Sequence, residues 1–127
     1  MGAMMDIVPT CLEAAGIDLP DDRVIDGASI LPMVSEGAAS PHEQLCWENG
    51  NQLAIREGDW KLVLNGRLTG DTADDVHLSN LSNLADDPGE RTNLAAANSE
   101  LIERLTADVQ AWYAEVRGEL DSRQKAG

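Results

Sequence analysis

The chain has 127 residues, 43% of them hydrophobic, which is enough polymer for one modest core. With no Phe, one Tyr and three Trp, that core must rest on Leu, Ile, Val, Ala and the tryptophans. Lys and Arg number 9 against 23 Asp and Glu, a net charge of −14, which argues against nucleic acid and anionic membrane surfaces as partners because both call for a basic face.

The first element is a short helix over Asp6–Gly16. Asp6 is placed to cap it, Pro9 falls in the first turn where a missing N–H costs nothing, and Gly16 stops it. Met5, Val8, Leu12 and Ala15 share one face, with Cys11 beside them. From Ile17 to Pro41 the periodicity dissolves. Pro20, Gly27, Pro32, Gly37 and Pro41 punctuate an extended connection, with one helical turn expected near Ser29–Val34 and Ser29 as its cap.

Strands follow. Leu45 and Trp47 alternate with polar neighbours, as do Leu53 and Ile55, and Trp60, Leu62 and Leu64 put three apolar side chains on one face of a third strand. Glu57-Gly58-Asp59 reads as a tight hairpin turn, with Gly58 free to take positive φ. Asn65–Asp75 is a polar loop, and a weaker fourth strand is expected through Val76 and Leu78. Leu78-Ser-Asn-Leu-Ser-Asn is a tandem too short to be a structural repeat. Asp86-Asp87-Pro88-Gly89 is a turn by composition.

The last element is an amphipathic helix from Asn98 or Ser99 to about Arg117. Ile102, Leu105, Val109, Trp112 and Val116 recur at steps of three and four, Leu101 and Tyr113 widen the stripe, and Glu100 and Arg104 stand at i,i+4 on the exposed side. A disordered tail is expected from about residue 119. Trp60 and Trp112 are expected in the core.

Few residues are candidates for chemistry. Cys11, His42, Cys46 and His77 are scattered, and only His42 and Cys46 are four apart, so no zinc spacing emerges. Asp71, Asp74 and Asp75 lack the glycine and glutamate of an EF-hand loop. No Gly-x-Ser-x-Gly, P-loop or Gly-x-Gly-x-x-Gly is present. Asn80-Leu-Ser82 matches a glycosylation sequon, although no basic segment followed by an apolar run, the pattern of a secretion signal, is visible; for the chain as given this leaves a cytoplasmic expectation. No stretch approaches the roughly 18 apolar residues of a membrane span. Two cysteines define no disulfide framework; two free thiols are expected, with a Cys11–Cys46 bridge the alternative. Arg56, Asp59, Trp60 and Lys61 cluster at the hairpin, either as a small recognition patch or, as is commoner, as a core Trp with charged neighbours.

Taken in order, four segments resemble the end of a sulfatase. Asp6-Ile-Val-Pro-Thr10 with Ala14-Ala-Gly-Ile17 resembles the late helix of that family's catalytic α/β domain, and Asp26-Gly-Ala-Ser29 with Leu31-Pro32 the connection leaving it. Ala54-Ile-Arg-Glu-Gly-Asp-Trp-Lys-Leu-Val63 resembles the hairpin of its small C-terminal subdomain. Leu81-Ser-Asn-Leu-Ala-Asp-Asp-Pro-Gly-Glu-Arg-Thr-Asn-Leu94 resembles the turn before its last helix. The resemblance covers residues 5 to 117.

It implies an α+β fold: a small antiparallel sheet of about four strands with a C-terminal amphipathic helix packed across it, plus an N-terminal helix and extended connection. Residues 1–41 then correspond to the end of the catalytic domain and 42–127 to the C-terminal subdomain. Within the implied turn, Asp87 can close an Asx-turn around Pro88 and Asn93 can cap the segment that follows. The family's chemistry uses a formylglycine made from a Cys/Ser-x-Pro-x-Arg motif and a calcium ion held by Asp and Asn. Cys11 is followed by Leu-Glu-Ala-Ala and Cys46 by Trp-Glu-Asn-Gly, no Ser begins the motif, and the family's metal and sulfate ligands lie upstream of the matched segments. The resemblance therefore assigns this chain no catalytic, cofactor-binding or metal-binding residue. The expectation is a C-terminal sulfatase region inactive by itself; the alternative is a stand-alone interaction module built on the same subdomain. A homodimer contacting through residues 5–34 is also expected, because Val8, Cys11, Leu12, Ala15, Val24, Ile25, Ile30 and Leu31 would lack the cover of a catalytic sheet.

Overall fold

The structure is a computed structural model that describes residues 1–72, 74 and 76–125. It contains α-helices α1 (Ile7–Ala14), α2 (Leu31–Glu36) and α3 (Ser99–Lys125) and strands β1 (Gln44–Asn49), β2 (Gln52–Glu57), β3 (Trp60–Gly66) and β4 (His77–Asn83), an α+β fold. The chain divides into two compact units, Met1–Leu45 and Cys46–Gly127.

In the first unit a 3-10 turn, Met4–Asp6, leads into α1. Asp6 precedes α1 as expected, but its carboxylate does not cap that helix. It turns back to accept the Ala3 N–H at 2.6 Å and the Ala28 N–H at 2.9 Å. Gly16 ends the helix at φ +69, a conformation that costs glycine least. Ser29 is not the cap expected of it: Ile30 holds that position without a side-chain bond, and Ser29, one residue earlier, accepts the Leu31 N–H at 3.2 Å; the first turn of α2 holds Pro32 and Gly37 terminates it at φ +72. Gly27 cannot be replaced: a Cβ there would lie 2.0 Å from the Met5 carbonyl oxygen.

In the second unit the strands run in the order β1-β2-β3-β4 as an antiparallel meander. Two-residue connections join the first three, and Gly50 (φ +63) and Gly58 (φ +55) supply the positive φ such hairpins need. The β2–β3 register pairs Ile55 with Leu62 and Arg56 with Lys61. Ile55, Leu62 and Leu81 from the sheet and Leu105 and Val109 from α3 are fully buried together. Burial of a side chain of this kind stabilises by about 1.5–3 kcal/mol. Trp60 and Trp112 pack against this cluster while staying partly exposed, and from β1 it is Cys46 that does so. Two ion pairs tie α3 to the sheet: Arg104 grips Glu57 with paired bonds of 2.7 and 2.8 Å, and Arg117 meets Glu48. Arg104 also lies 3.5 Å from Asp108 rather than pairing with Glu100 as the i,i+4 spacing suggests.

The fourth strand departs from expectation. Its inward positions are the odd ones, with Leu81 opposite Leu62 and Ser79 opposite Leu64. Val76 lies before the strand and Leu78 is 83% exposed. A three-residue tandem on a two-residue strand period puts its two leucines on opposite faces, and only the second reaches the core. The outer edge of β4 is not left open. Asn93 Oδ1 accepts the Leu81 N–H, Asn93 Nδ2 donates to the Ser79 carbonyl, and the Leu94 N–H donates to the Leu81 carbonyl.

The end of α3 is a correction as well. The buried stripe stops near Arg117 and a disordered tail was the expectation from about 119, yet the helix continues to Lys125. Between Glu119 and Lys125 the sequence has no Gly or Pro and is rich in Glu, Leu, Arg, Gln and Lys, whose intrinsic preference extends a helix past its last packed turn. Residues 126 and 127 of the expected tail lie outside the described residues.

Candidate functional site

The most buried ionisable group is Asp6, with no exposed surface. Besides the two backbone N–H groups, its Oδ1 lies 2.7 Å from His42 Nε2. Thr10 extends the cluster: its hydroxyl donates to the Asp6 carbonyl at 2.6 Å and accepts the Ile30 N–H at 3.0 Å. Burial alone would push the Asp6 carboxyl up, but the N–H groups of Ala28 and Ala3 and the His42 ring together outweigh it and hold the carboxyl below its ordinary range. A carboxylate–imidazole pair is half of a nucleophile-activating triad. Here the second half is missing: Ser40, the nearest hydroxyl in sequence, accepts the His42 N–H and donates to backbone carbonyls of Met1 and His42. Asp6 and His42 therefore act as a clasp, tying together segments 36 residues apart.

The remaining candidates are not brought together. Cys11 is exposed and free; Cys46 is half-buried and free. Burial, helped by the nearby Asp108 charge, pushes the Cys46 thiol up to about 11, so at neutral pH it is protonated and a poor nucleophile. His77 lies 3.2 Å from Asp71, and Asp71 also accepts the Leu68 N–H at 2.7 Å, so this aspartate closes its own loop. Asp75 lies outside the described residues. Among the described residues no three His, Cys, Asp or Glu side chains form a group able to hold a metal ion. The sequon fails on burial: Asn80 is 3% and Ser82 2% exposed, so neither is open to modification in the folded chain.

Asn93 takes the role its position suggests, its Oδ1 accepting the Ala95 N–H at 3.0 Å, whereas Asp87 reaches beyond the expected Asx-turn at Pro88: its Oδ2 accepts the N–H groups of Arg91 at 2.7 Å and Thr92 at 2.9 Å. Sequence reasoning missed that the same Asn93 also holds the edge of β4, since nothing local in the sequence marks that long-range contact. At the hairpin, Trp60 turns inward, while Arg56 and Lys61 go to the opposite face of the sheet, beside Trp47. The cluster thus divides: the tryptophan is structural and the cations are left on the surface.

No family model matches the chain. An arylsulfatase of Hemicentrotus pulcherrimus is 41% identical over 58 residues, which are 45% of this chain and 10% of that protein. The N-acetylgalactosamine-6-sulfatase of Canis lupus familiaris is 27% identical over 87% of this chain and 26% of its own length. These matches, which cover most of the chain, support a sulfatase-family C-terminal region. A solved structure from work on glycosaminoglycan metabolism by Bacteroides thetaiotaomicron shares the fold, with a TM-score of 0.59 at 23% identity over 84% of this chain and 24% of that one. The chain spans about a quarter of the length of the relatives it matches along most of its own.

The formylglycine and calcium of sulfatases do not fit the residues present. Neither cysteine begins a Cys/Ser-x-Pro-x-Arg motif, and the described carboxylates do not converge into an oxygen cage. No helix among the described residues is long and apolar enough to cross a membrane.

Proposed function

We propose that this chain is the C-terminal part of a sulfuric ester hydrolase and does not turn over substrate by itself. Residues 1–41 correspond in this reading to the end of the catalytic α/β domain and 42–127 to the C-terminal subdomain. The observation that carries it is the sequence relation over most of the chain to proteins about four times as long, combined with a sequence that has no Cys/Ser-x-Pro-x-Arg motif and, among the described residues, no group of His, Cys, Asp or Glu able to hold a metal ion. The family's formylglycine and calcium belong, on this reading, to the part of the relatives that this chain does not match. The expected result is no hydrolysis of 4-methylumbelliferyl sulfate above the buffer rate, with or without calcium. Turnover that survives repurification and is abolished by substituting Cys11 or Cys46 would refute it.

A second reading concerns association, and the surface of the first unit favours it. Met5, Ile7, Val8, Ile17, Leu19 and Val24 are all exposed there, large apolar side chains of the kind that an interface covers. We infer a homodimer contacting through residues 5–34, since a second copy of the chain offers the same apolar side chains in return. The charge of −14 opposes pairing, but at physiological salt it acts over only about 8 Å. Light scattering at tens of micromolar should give twice the chain mass; a monomer mass would sink the idea.

A further inference from the structure

Ile55 and Leu62 point into the core, so Arg56 and Lys61, their neighbours and partners across the ladder, lie on the opposite face of the sheet. There, with the 41%-exposed Trp47 of β1 and with Leu84, Pro88 and Glu90 from the segment after β4, they line an open cavity of about 490 Å³. That is within the roughly 300–1,000 Å³ of small-molecule sites. We propose that this cavity binds an anionic sugar, Arg56 holding the anionic group and the Trp47 indole carrying the ring.

Charge is the first argument. In a chain of −14 with nine Lys and Arg, four of these cations meet a carboxylate: Arg23 with Asp22, Arg104 with Glu57, Arg117 with Glu48 and Lys61 with Glu90 at 2.7 Å. Arg56 differs. Its Nε donates to the Gly58 carbonyl at 3.0 Å, which fixes the guanidinium, and among the described residues no carboxylate takes its other donors. A fixed guanidinium with free donors is the side chain best suited to a sulfate ester or carboxylate, which it meets with two parallel bonds. Trp47 is the second argument. A half-exposed indole gives an apolar platform of the kind the C–H face of a sugar ring covers. The third is Glu90, held at φ +52, where a non-glycine residue is strained. Its N–H donates to the Asp87 carbonyl, its carbonyl accepts the Thr69 N–H, and its carboxylate meets Lys61. The ion pair that results puts one acceptor and one donor at fixed positions on the rim, where sugar hydroxyls can use them. Lys61 and Glu90, the lining groups that could act as nucleophiles, are occupied with each other, so the cavity binds without cleaving.

The sulfatase relation enters only in choosing sulfate esters among the anions tested. The experiment is a titration of the isotope-labelled chain, following the Trp47 indole N–H by NMR, with N-acetylgalactosamine 6-sulfate, glucuronic acid, N-acetylgalactosamine and sodium sulfate in turn. Both anionic sugars, or either one, should shift that resonance with an affinity at least about tenfold above the neutral sugar and above sulfate ion, the size expected of one charged hydrogen-bonding pair. Arg56→Gln should weaken the anionic sugars by about tenfold, and Trp47→Leu, followed on backbone amides, should leave sugar and sulfate ion bound alike. An unshifted Trp47 indole at about 10 mM of every ligand, a neutral sugar that binds equally, sulfate ion that binds as tightly as the sugars, or unchanged binding in a folded Arg56→Gln variant would each overturn the proposal. The turnover assay above is independent of these outcomes, so the two readings fail separately.

Discussion

The two leucines of the Leu-Ser-Asn tandem offer a test of the β4 register. Leu81 has no exposed surface and packs with Ile55, Leu62, Leu105 and Val109, whereas Leu78 is 83% exposed. The same substitution at each, Leu81→Ala and Leu78→Ala, removes the same atoms from the same tripeptide. At Leu81 the loss of transfer energy is joined by a cavity between sheet and helix, for a cost of about 2–5 kcal/mol. The backbone bonds that Asn93 and Leu94 make to residue 81 do not depend on its side chain, so the cavity accounts for the change. At Leu78 the cost should stay within about 0.5 kcal/mol. For a unit of this size each kcal/mol is about 4–8 °C, so Leu81→Ala should lower the Tm by about 8–40 °C and Leu78→Ala by no more than about 4 °C. Urea unfolding followed by far-ultraviolet circular dichroism provides the free energies, with a constant slope as the check that the unfolded state is unchanged. Equal costs at the two sites, or a larger one at Leu78, would show that β4 is one residue out of register.

Two further predictions concern the titrating groups. The Asp6 carboxyl lies below its unfolded value of 3.8 in the fold, so its contribution is present above that value and is lost as pH falls through the folded pKa. Amide exchange at Ala28 should therefore accelerate as pH drops below about 4, after correction for intrinsic rates, and Asp6→Asn should remove that acid limb while weakening the unit at neutral pH. Unaltered protection of Ala28 in the variant would show the clasp to be dispensable. For the thiols, iodoacetamide at about pH 8 should modify Cys11 quickly and Cys46 only on unfolding, because Cys46 is half-buried and its thiol is held protonated. Mass spectrometry showing equal rates would refute that assignment.

Much of this protein is legible locally. The α1 segment and its Gly16 stop, the turn at Gly58, the alternation in β2 and β3 and the Leu105–Val109 stripe all depend on backbone preference and periodicity, which a sequence displays directly. So is the resemblance to sulfatases, because its marks are contiguous strings such as Asp87-Pro-Gly-Glu and Asp6-Ile-Val-Pro-Thr. Only the tertiary structure decided where long-range partners stand. It gave the Asp6 carboxylate to Ala28 and His42 instead of to its own helix, and Arg104 to Glu57 instead of Glu100. It chose Leu81 over Leu78 for the core and put Arg56 and Lys61 beside Trp47. A side chain with several chemically equivalent local options is settled by what packs against it, and the pairing energy comes from segments tens of residues away that no local pattern announces.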